Sequence, residues 1–357
     1  MVVASLSMSF SNGRASGRET QTQPICAAYL MDRASLTLRD EDAQHLTHLY
    51  YSFGQIADGR LSVDHLENWD AVKAYCARHP HIRLLLAIGG WGADGFSQVS
   101  RTAEGRARFV QSVIDVVRMH GLDGIDLDWE YPTIATAGIA ASPDDRANLV
   151  SLVRELRTAL DALGAQNGKT YHLSLAVGAS QETTKGIDAQ ALNGLLDCVN
   201  IMTYDLRGEK KATHHANLYA AADDASGVSA DAAVRLMEQM GFSRNKLVIG
   251  GAAYGRIWTG ARELGAVALN NGNKAVSYDT VRSYIASGDY TYRWDESAQA
   301  PYLVGADRFV SFDDPTSMRL KGEYARRKGL AGMMYWEYTQ DSTGALLRAM
   351  SEGLRTD

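Results

Sequence analysis

Three acidic residues on one side of a short apolar segment are the strongest chemical signal in this sequence. The segment covers residues 123–132 and reads DGIDLDWEYP. Successive side chains of a β-strand alternate between faces, so Asp126, Asp128 and Glu130 project together while the apolar residues between them face the other way. Charged carboxylates are costly to remove from water unless they are paired or neutralised. Packing therefore does not explain the pattern, and we predict a catalytic strand.

Glu130 is the best candidate for a proton donor among these acids. It lies at the predicted tip of the strand, nearest to a bound substrate. A carboxyl group that donates a proton to a leaving group must be protonated at the working pH, and neighbouring carboxylates raise one another's pKa. Asp123 falls instead on the face of the strand that carries the apolar side chains, and we predict a structural role for it.

Other predicted strands also end in residues suited to binding or catalysis. Their ends read Gly89-Gly90-Trp91, Met202-Thr203-Tyr204-Asp205 and Tyr335-Trp336-Glu337. The indole rings of Trp91 and Trp336 are suited to stacking on the apolar faces of sugar rings. All three ends are predicted on the face that carries Glu130.

Eight β-rich segments alternate with amphipathic segments along the chain. The predicted strands are Ile25–Leu30, Leu46–Phe53, Arg83–Ile88, Gly124–Glu130, His172–Val177, Val199–Tyr204, Leu247–Tyr254 and Leu330–Trp336. The predicted helices include Thr102–His120, Pro143–Leu163, Ala230–Met240 and Pro315–Lys328. Eight strands separated by helices indicate an α/β fold, the (β/α)8 TIM barrel, whose active sites lie at the carboxyl ends of the strands.

The interval between predicted strands 7 and 8 departs from the alternation of strands and helices and predicts an inserted module. Residues 256–308 are rich in Gly, Asn, Tyr and Trp, and we predict a small α+β insertion between strand 7 and strand 8. The barrel then comprises residues 25–255 and 309–357, and residues 1–24 are predicted to be a disordered tail. Trp258 and Trp294 lie in the insertion and are either cleft aromatics or its packed core.

Composition excludes several classes of partner. The chain has 357 residues, a formal net charge of -6 without long charged runs, and no apolar segment long enough for a transmembrane helix. We therefore expect no nucleic-acid partner, no membrane partner and a monomer. Three widely spaced cysteines suggest neither a disulfide framework nor a metal site, and the adjacent His214 and His215 lack a third ligand at useful spacing. No cofactor is expected.

The motifs together resemble those of glycoside hydrolase family 18 chitinases. Residues 123–132 match the family's DGIDLDWEYP signature, with its DxxDxDxE motif, at every position. Supporting matches are Ile88-Gly89-Gly90-Trp91, Met202-Thr203-Tyr204-Asp205, Tyr254-Gly255-Arg256 and Gly332-Met333-Met334-Tyr335-Trp336. The resemblance extends from about residue 24 to the C-terminus. The chain departs from the family at Ala87, where a serine hydroxyl commonly helps to hold the first aspartate.

The resemblance implies a retaining mechanism in which the substrate supplies the nucleophile. Glu130 would protonate the glycosidic oxygen while the 2-acetamido carbonyl of the -1 sugar attacks C1 and forms an oxazolinium ion. Asp128 would accept a hydrogen bond from the acetamido N–H, Asp126 would tune the other two acids, and Tyr204 would hold the acetamido oxygen. Glu130 would then act as the base for water.

The resemblance also implies the substrate contacts. Asp205 and Arg256 would bind sugar hydroxyls, Trp336 would form the floor of the -1 subsite, and Trp91 would form the platform at +1. Further predicted contacts are Met202, Tyr29, Phe53 and Tyr254. Non-proline cis peptide bonds are expected at Ser52–Phe53, Glu130–Tyr131 and Trp336–Glu337, and the insertion is similar to the family's chitinase insertion domain.

Three functions remain open from the sequence. The first is an endo-acting chitinase on chitin or N-acetylchitooligosaccharides, and the second is a non-catalytic chitinase-like lectin. The third is an endo-β-N-acetylglucosaminidase on N-glycans. The presence of Glu130 and Asp128 favours an enzyme. Family analogy suggests secretion, but residues 1–10 are a poor signal peptide, which leaves a cytoplasmic location as the alternative.

Overall fold

The computed structural model describes residues 23–207, 210–222 and 226–355. The predicted disordered tail covers residues 1–24, of which residues 1–22 lie outside the described residues.

Strands and helices alternate over most of the described chain. The strands are β1 (Ile25–Met31), β2 (His48–Ala57), β3 (Arg60–Ser62), β4 (Arg83–Gly89), β5 (Gly124–Asp128), β6 (His172–Val177), β7 (Cys198–Ile201), β8 (Leu247–Ala252), β9 (Tyr254–Thr259), β10 (Lys274–Ser277), β11 (Thr291–Asp295), β12 (Ala300–Val304), β13 (Arg308–Ser311) and β14 (Gly332–Trp336). The α-helices are α1 (Trp69–Arg78), α2 (Phe96–Ser100), α3 (Ala103–His120), α4 (Asp145–Asn167), α5 (Ala189–Asn193), α6 (Ala230–Met240), α7 (Tyr278–Ser287), α8 (Pro315–Lys328) and α9 (Ala345–Leu354).

Eight parallel strands close into a barrel, which confirms the predicted (β/α)8 fold. The hydrogen-bonded order is β1, β14, β8, β7, β6, β5, β4 and β2, and a further parallel pairing of β1 with β2 completes the circle. β3 adds an antiparallel hairpin to β2 outside this circle. Since all eight strands run in the same direction, their carboxyl ends meet at one face.

Two barrel strands that are predicted to carry candidate site residues, β5 and β7, end earlier than predicted. β5 ends at Asp128 and β7 ends at Ile201, so Glu130 and the residues 202–205 lie in the loops that follow. After β7, the backbone hydrogen bond from the Met202 N–H to the Val177 carbonyl of β6, at 2.9 Å, is the last one to a neighbouring barrel strand. Beyond it the backbone leaves the sheet, which directs these side chains over the barrel mouth.

The helices form where the sequence predicts them. α6 and α8 have the predicted bounds, and α3 differs only in that Thr102 is its N-cap, accepting a hydrogen bond from the Gly105 N–H at 3.0 Å. α4 begins and ends later than predicted, at Asp145 and Asn167.

The insertion forms a second sheet of five antiparallel strands, in the order β10, β9, β13, β12 and β11, with α7 after β10. This sheet spans 254–311, against the predicted module of 256–308. The predicted strand Leu247–Tyr254 divides into β8 and β9, so Tyr254 and Arg256 belong to the insertion sheet. Trp258 is fully buried, with its ring 5.8 Å from that of Phe309. Trp258 is therefore part of the insertion core, and not a cleft aromatic.

No helix among the described residues is long and apolar enough to cross a membrane.

Candidate active site

Asp126 lies in the middle of β5 and is fully buried inside the barrel. Its carboxylate accepts three hydrogen bonds, from Tyr29 Oη at 2.8 Å, Ser174 Oγ at 2.6 Å and Asn200 Nδ2 at 3.1 Å. Burial raises the pKa of Asp126 to about 6, although these three donors act in the opposite direction. Asp126 is thus held in place by donors from three other strands.

Ser174 supplies the hydroxyl that Ala87 lacks. Ala87 on β4 and Ser174 on β6 flank Asp126 on its two sides in the sheet register. The hydroxyl that the family commonly places on the β4 side therefore comes from the β6 side in this chain. Tyr29 lies deeper than predicted, because it is buried and donates to Asp126. Its hydroxyl thus helps to hold this acid, and its contact with a substrate stays a prediction.

Sequence reasoning missed Ser174 and Asn200. Both are fully buried polar residues in strands that are otherwise almost entirely apolar. A polar side chain in a buried strand is the signal that could have identified them, because such a group needs a partner inside the barrel.

Moving the hydroxyl from position 174 to position 87 tests whether a hydrogen bond from this hydroxyl stabilises Asp126. Ser174→Ala is expected to lower the free energy of unfolding by about 1.5–3 kcal/mol at pH 8, because a donor to an ionised buried carboxylate is lost. Adding Ala87→Ser to that variant is expected to restore part of the loss. Chemical denaturation measures both changes, with Ala87→Ser alone as the control. Equal stability of Ser174→Ala and the unsubstituted protein would contradict the role of this hydrogen bond.

Asp128 lies between the other two acids in the sequence, and one of its two carboxyl oxygens has no hydrogen-bond partner among the described residues. Its side chain is buried, and its Oδ1 atom makes no hydrogen bond with the described part of the chain. Burial and then the charges of Glu130 and Asp126 raise its pKa well above the usual range. A buried carboxylate oxygen without a donor is costly, so this arrangement suits a donor supplied by a bound molecule.

Glu130 follows β5 and is half-buried at the mouth of the barrel. Burial raises its pKa to about 7, a hydrogen bond from Tyr131 lowers it, and the charge of Asp205 raises it. A carboxyl group with this pKa holds its proton over much of the pH range in which an ordinary glutamate has lost it. Glu130 can therefore serve as an acid and then as a base.

Gly89 allows β4 to approach the acidic strand closely. Its φ is +113°, and a Cβ atom at this position would lie 2.1 Å from the carbonyl oxygen of Asp128. The next residue, Gly90, donates its N–H to that same carbonyl at 2.8 Å. Only glycine fits such a contact, which fixes the backbone immediately before Glu130.

Asp205 and Arg256 form a two-pronged ion pair at the cleft. Arg256 Nε lies 2.6 Å from Asp205 Oδ1, and Arg256 Nη2 lies 2.5 Å from Asp205 Oδ2. Burial opposes ionisation, but the neighbouring His215 and Arg256 hold the pKa of Asp205 well below its usual range. Asp205 is thus a fixed negative charge close to Glu130, supplied by the barrel, while Arg256 comes from the insertion.

Aromatic rings line the mouth of the barrel beside the acids. Trp336 stacks on Phe53 with ring centroids 5.4 Å apart, and Met202 and Tyr204 are packed in the same cluster. The rings of Tyr204 and Tyr254 are 6.2 Å apart, edge to face. The structure thus brings these predicted contacts together above Asp126.

Trp91 differs from the other aromatic residues because its side chain is 65% exposed. Its ring lies 6.5 Å from that of Tyr131, the residue that follows Glu130. A large exposed indole beside the acid is suited to stacking against a bound ring. The three predicted cis peptide bonds, Ser52–Phe53, Glu130–Tyr131 and Trp336–Glu337, are confirmed.

The two adjacent histidines have protein partners. His214 Nε2 lies 3.1 Å from Asp295 Oδ2, and His215 Nδ1 lies 3.7 Å from Asp205 Oδ1. In the ranges that the structure describes, no three side chains of His, Cys, Asp or Glu are grouped to hold a metal ion.

The chain is similar in sequence and fold to known proteins of one family. The family described as Glycosyl hydrolases family 18 matches residues 17–341. Chitinase A1 of Niallia circulans is 34% identical in an alignment of 302 positions that covers 78% of this chain and 43% of that protein, so the chain spans less than half of its length.

Two solved structures have the same fold. A glycoside hydrolase family 18 N-acetylglucosaminidase from Paenibacillus barengoltzii is 38% identical with a TM-score of 0.90, covering 93% of this chain and all of that one. A class V chitinase from Nicotiana tobaccum, solved as a mutant in complex with NAG4, is 26% identical with a TM-score of 0.82, covering 93% of this chain and 99% of that one. Since the family match extends over most of the chain and includes the whole acidic strand, the protein belongs to glycosyl hydrolases family 18.

Proposed function

We propose that the protein is a chitinase that hydrolyses β-1,4-linked N-acetylglucosamine polymers and oligomers with retention of configuration. The observation that carries the proposal is the row of three acids in three different states. Asp126 accepts three hydrogen bonds, Asp128 has a buried oxygen without a hydrogen-bond partner in the described ranges, and the pKa of Glu130 is raised to about 7. These states support Glu130 as the acid catalyst and Asp128 as the hydrogen-bond acceptor for a group of the substrate.

The first step divides the work between two residues and the substrate. Glu130 donates its proton to the glycosidic oxygen as the bond from C1 breaks. The acetamido carbonyl oxygen of the same sugar bonds to C1, so the substrate is its own nucleophile and an oxazolinium ion forms. Asp128 accepts the acetamido N–H and stabilises the developing positive charge. The unpartnered Oδ1 of Asp128 supports this role.

The remaining residues hold the sugar and complete the reaction. Tyr204 donates its hydroxyl to the acetamido oxygen, and the ring of Trp336 supports the apolar face of the -1 sugar. In the second step Glu130, now ionised, takes a proton from water as the water oxygen attacks C1, and the bond from C1 to the acetamido oxygen breaks, which restores the N-acetyl group. The protonated Glu130 is thereby restored. Asp205, Arg256 and Trp91 contact the sugars on either side of the cleaved bond.

The acetyl group should decide which polymer is cleaved. Because the mechanism needs the acetamido carbonyl as nucleophile, fully deacetylated chitosan is expected to remain uncleaved while soluble N-acetylated oligomers of the same length are hydrolysed. Release of reducing ends measures both, and re-acetylated chitosan is the matched control. Comparable rates on the deacetylated and re-acetylated polymers would contradict the proposal.

A second candidate activity is removal of single N-acetylglucosamine residues from chain ends. It is favoured by the likeness to the Paenibacillus barengoltzii N-acetylglucosaminidase over the whole of that chain. The early products of a reducing-end-labelled N-acetylchitohexaose separate the two. Internal cleavage is expected to release dimers to tetramers from the start, whereas monomer and pentamer as the early products would support the second candidate.

A further inference from the structure

A buried histidine, His215, receives two successive backbone N–H groups from the loop that carries Asp205. The Asp205 N–H points at His215 Nδ1 over 3.4 Å, and the Leu206 N–H donates to the His215 carbonyl at 2.9 Å. Neither contact involves the Asp205 carboxylate, which remains paired with Arg256. His215 thus holds the backbone of this loop at close range, while its Nδ1 lies farther, 3.7 Å, from the Asp205 carboxylate.

The Asp205 backbone needs such support. Its φ is +55°, in the left-handed region that residues other than glycine rarely adopt. A conformation of this kind persists when surrounding contacts over-determine it. The reversal of the chain here separates Tyr204, which packs toward the barrel interior, from Asp205, which faces Arg256.

His215 is itself fixed to the insertion sheet. Its side chain is fully buried, and its backbone N–H donates to Ser311 Oγ at 2.9 Å. The imidazole ring lies 5.0 Å from the ring of Tyr254. His215 Nε2 lies 3.3 Å from the Tyr254 carbonyl oxygen. His215 therefore connects the loop after β7 with β9 and β13 of the insertion sheet.

These contacts select one form of the imidazole ring. A carbonyl oxygen can only accept, so Nε2 carries the hydrogen, and Nδ1 keeps the lone pair that accepts the Asp205 N–H. Burial lowers the pKa of His215, which favours this neutral form. The charges of Asp205 and Asp313 act to raise the same pKa, and the charge of Arg256 acts to lower it.

We propose that His215 is a positioning residue for sugar binding, which acts by fixing the backbone of Asp205 and with it the Asp205–Arg256 pair. The inference rests on the proposed function, because it assigns that pair to the sugars beside the cleaved bond. His215 does not touch the substrate, so its loss acts on binding more than on proton transfer.

Substitution of His215 tests this role. His215→Leu removes both ring nitrogens and is expected to raise KM for N-acetylchitotetraose about tenfold, the loss of about one hydrogen bond, while kcat changes by less than about threefold. His215→Asn places an amide oxygen where Nδ1 stood and is expected to return KM to within about threefold of the original. Calorimetric binding of the tetramer in a Glu130→Gln background should follow the same order.

The neighbouring histidine provides the matched control. His214 is equally buried but pairs with Asp295 in the insertion, so His214→Leu is expected to leave KM unchanged once the folded fraction is measured by circular dichroism. If His215→Leu does not fold, His215→Gln replaces it: its amide reaches the Nε2 position, leaves the Asp205 N–H without an acceptor, and should raise KM.

Two results would overturn the inference, and they differ from failure of the proposed function. His215→Leu and His214→Leu with equal KM values, or His215→Asn as impaired as the Leu or Gln variant, would overturn the positioning role alone. Absence of both binding and cleavage of the tetramer by the unsubstituted protein would overturn the proposed function, and the inference with it.

Discussion

Replacing Glu130 with glutamine is expected to lower kcat on N-acetylchitooligosaccharides about 100- to 10,000-fold, the usual contribution of a general acid. Glutamine has nearly the same shape, but its amide does not transfer a proton to the glycosidic oxygen. Release of a fluorophore from N-acetylchitooligosaccharide conjugates measures the rate. Binding of the oligosaccharide should persist, because the aromatic surfaces and the Asp205–Arg256 pair are unchanged.

The control for this variant is Glu182→Gln, on an exposed loop after β6, which should retain full activity. The pH dependence gives a second check on the same residue. Since the pKa of Glu130 is raised to about 7, its proton is present below that pH, and kcat/KM of the unsubstituted protein should fall as the pH rises through it. Equal rates for Glu130→Gln and the unsubstituted protein would show that the acid is assigned to the wrong residue.

The second large effect is expected at Asp128. Asp128→Asn should lower kcat about 100- to 1,000-fold, because the neutral amide lacks the charge that stabilises the oxazolinium ion. The substitution also removes a buried carboxyl group whose raised pKa makes folding less favourable at pH 8, so the free energy of unfolding at pH 8 should stay the same or rise. Steady-state kinetics and chemical denaturation together separate lost catalysis from lost folding.

Asp123→Asn is the matched control on the same segment. Asp123 Oδ2 accepts the Leu84 N–H at 2.9 Å at the other end of the strand, so its loss should affect stability and leave kcat unchanged. A kcat for Asp128→Asn within about threefold of that for Asp123→Asn would be incompatible with the charge-stabilising role of Asp128.

The acidic strand could be predicted because its information is local. Alternation along residues 125–130 assigns each side chain to a face without reference to any other part of the chain. The eight strands, the helix bounds of α6 and α8, and the TIM barrel follow from hydrophobic period and capping residues, which also act over short distances. Trp258 shows the limit, because a tryptophan in a cleft and one in a core have the same local pattern.

What only the tertiary structure decided is which residues support the acids. The donors to Asp126 are 48, 74 and 97 residues away in the sequence, and they meet it because barrel closure and strand register bring four strands together. The same holds for Arg256, which reaches Asp205 from the insertion sheet, and for His215 beneath them. Side-chain type and alternation are properties of the chain itself, whereas hydrogen-bond partners across a barrel depend on how distant strands align. The sequence therefore predicted which acids are suited to the chemistry, and the fold determined their positions and the side chains that surround them.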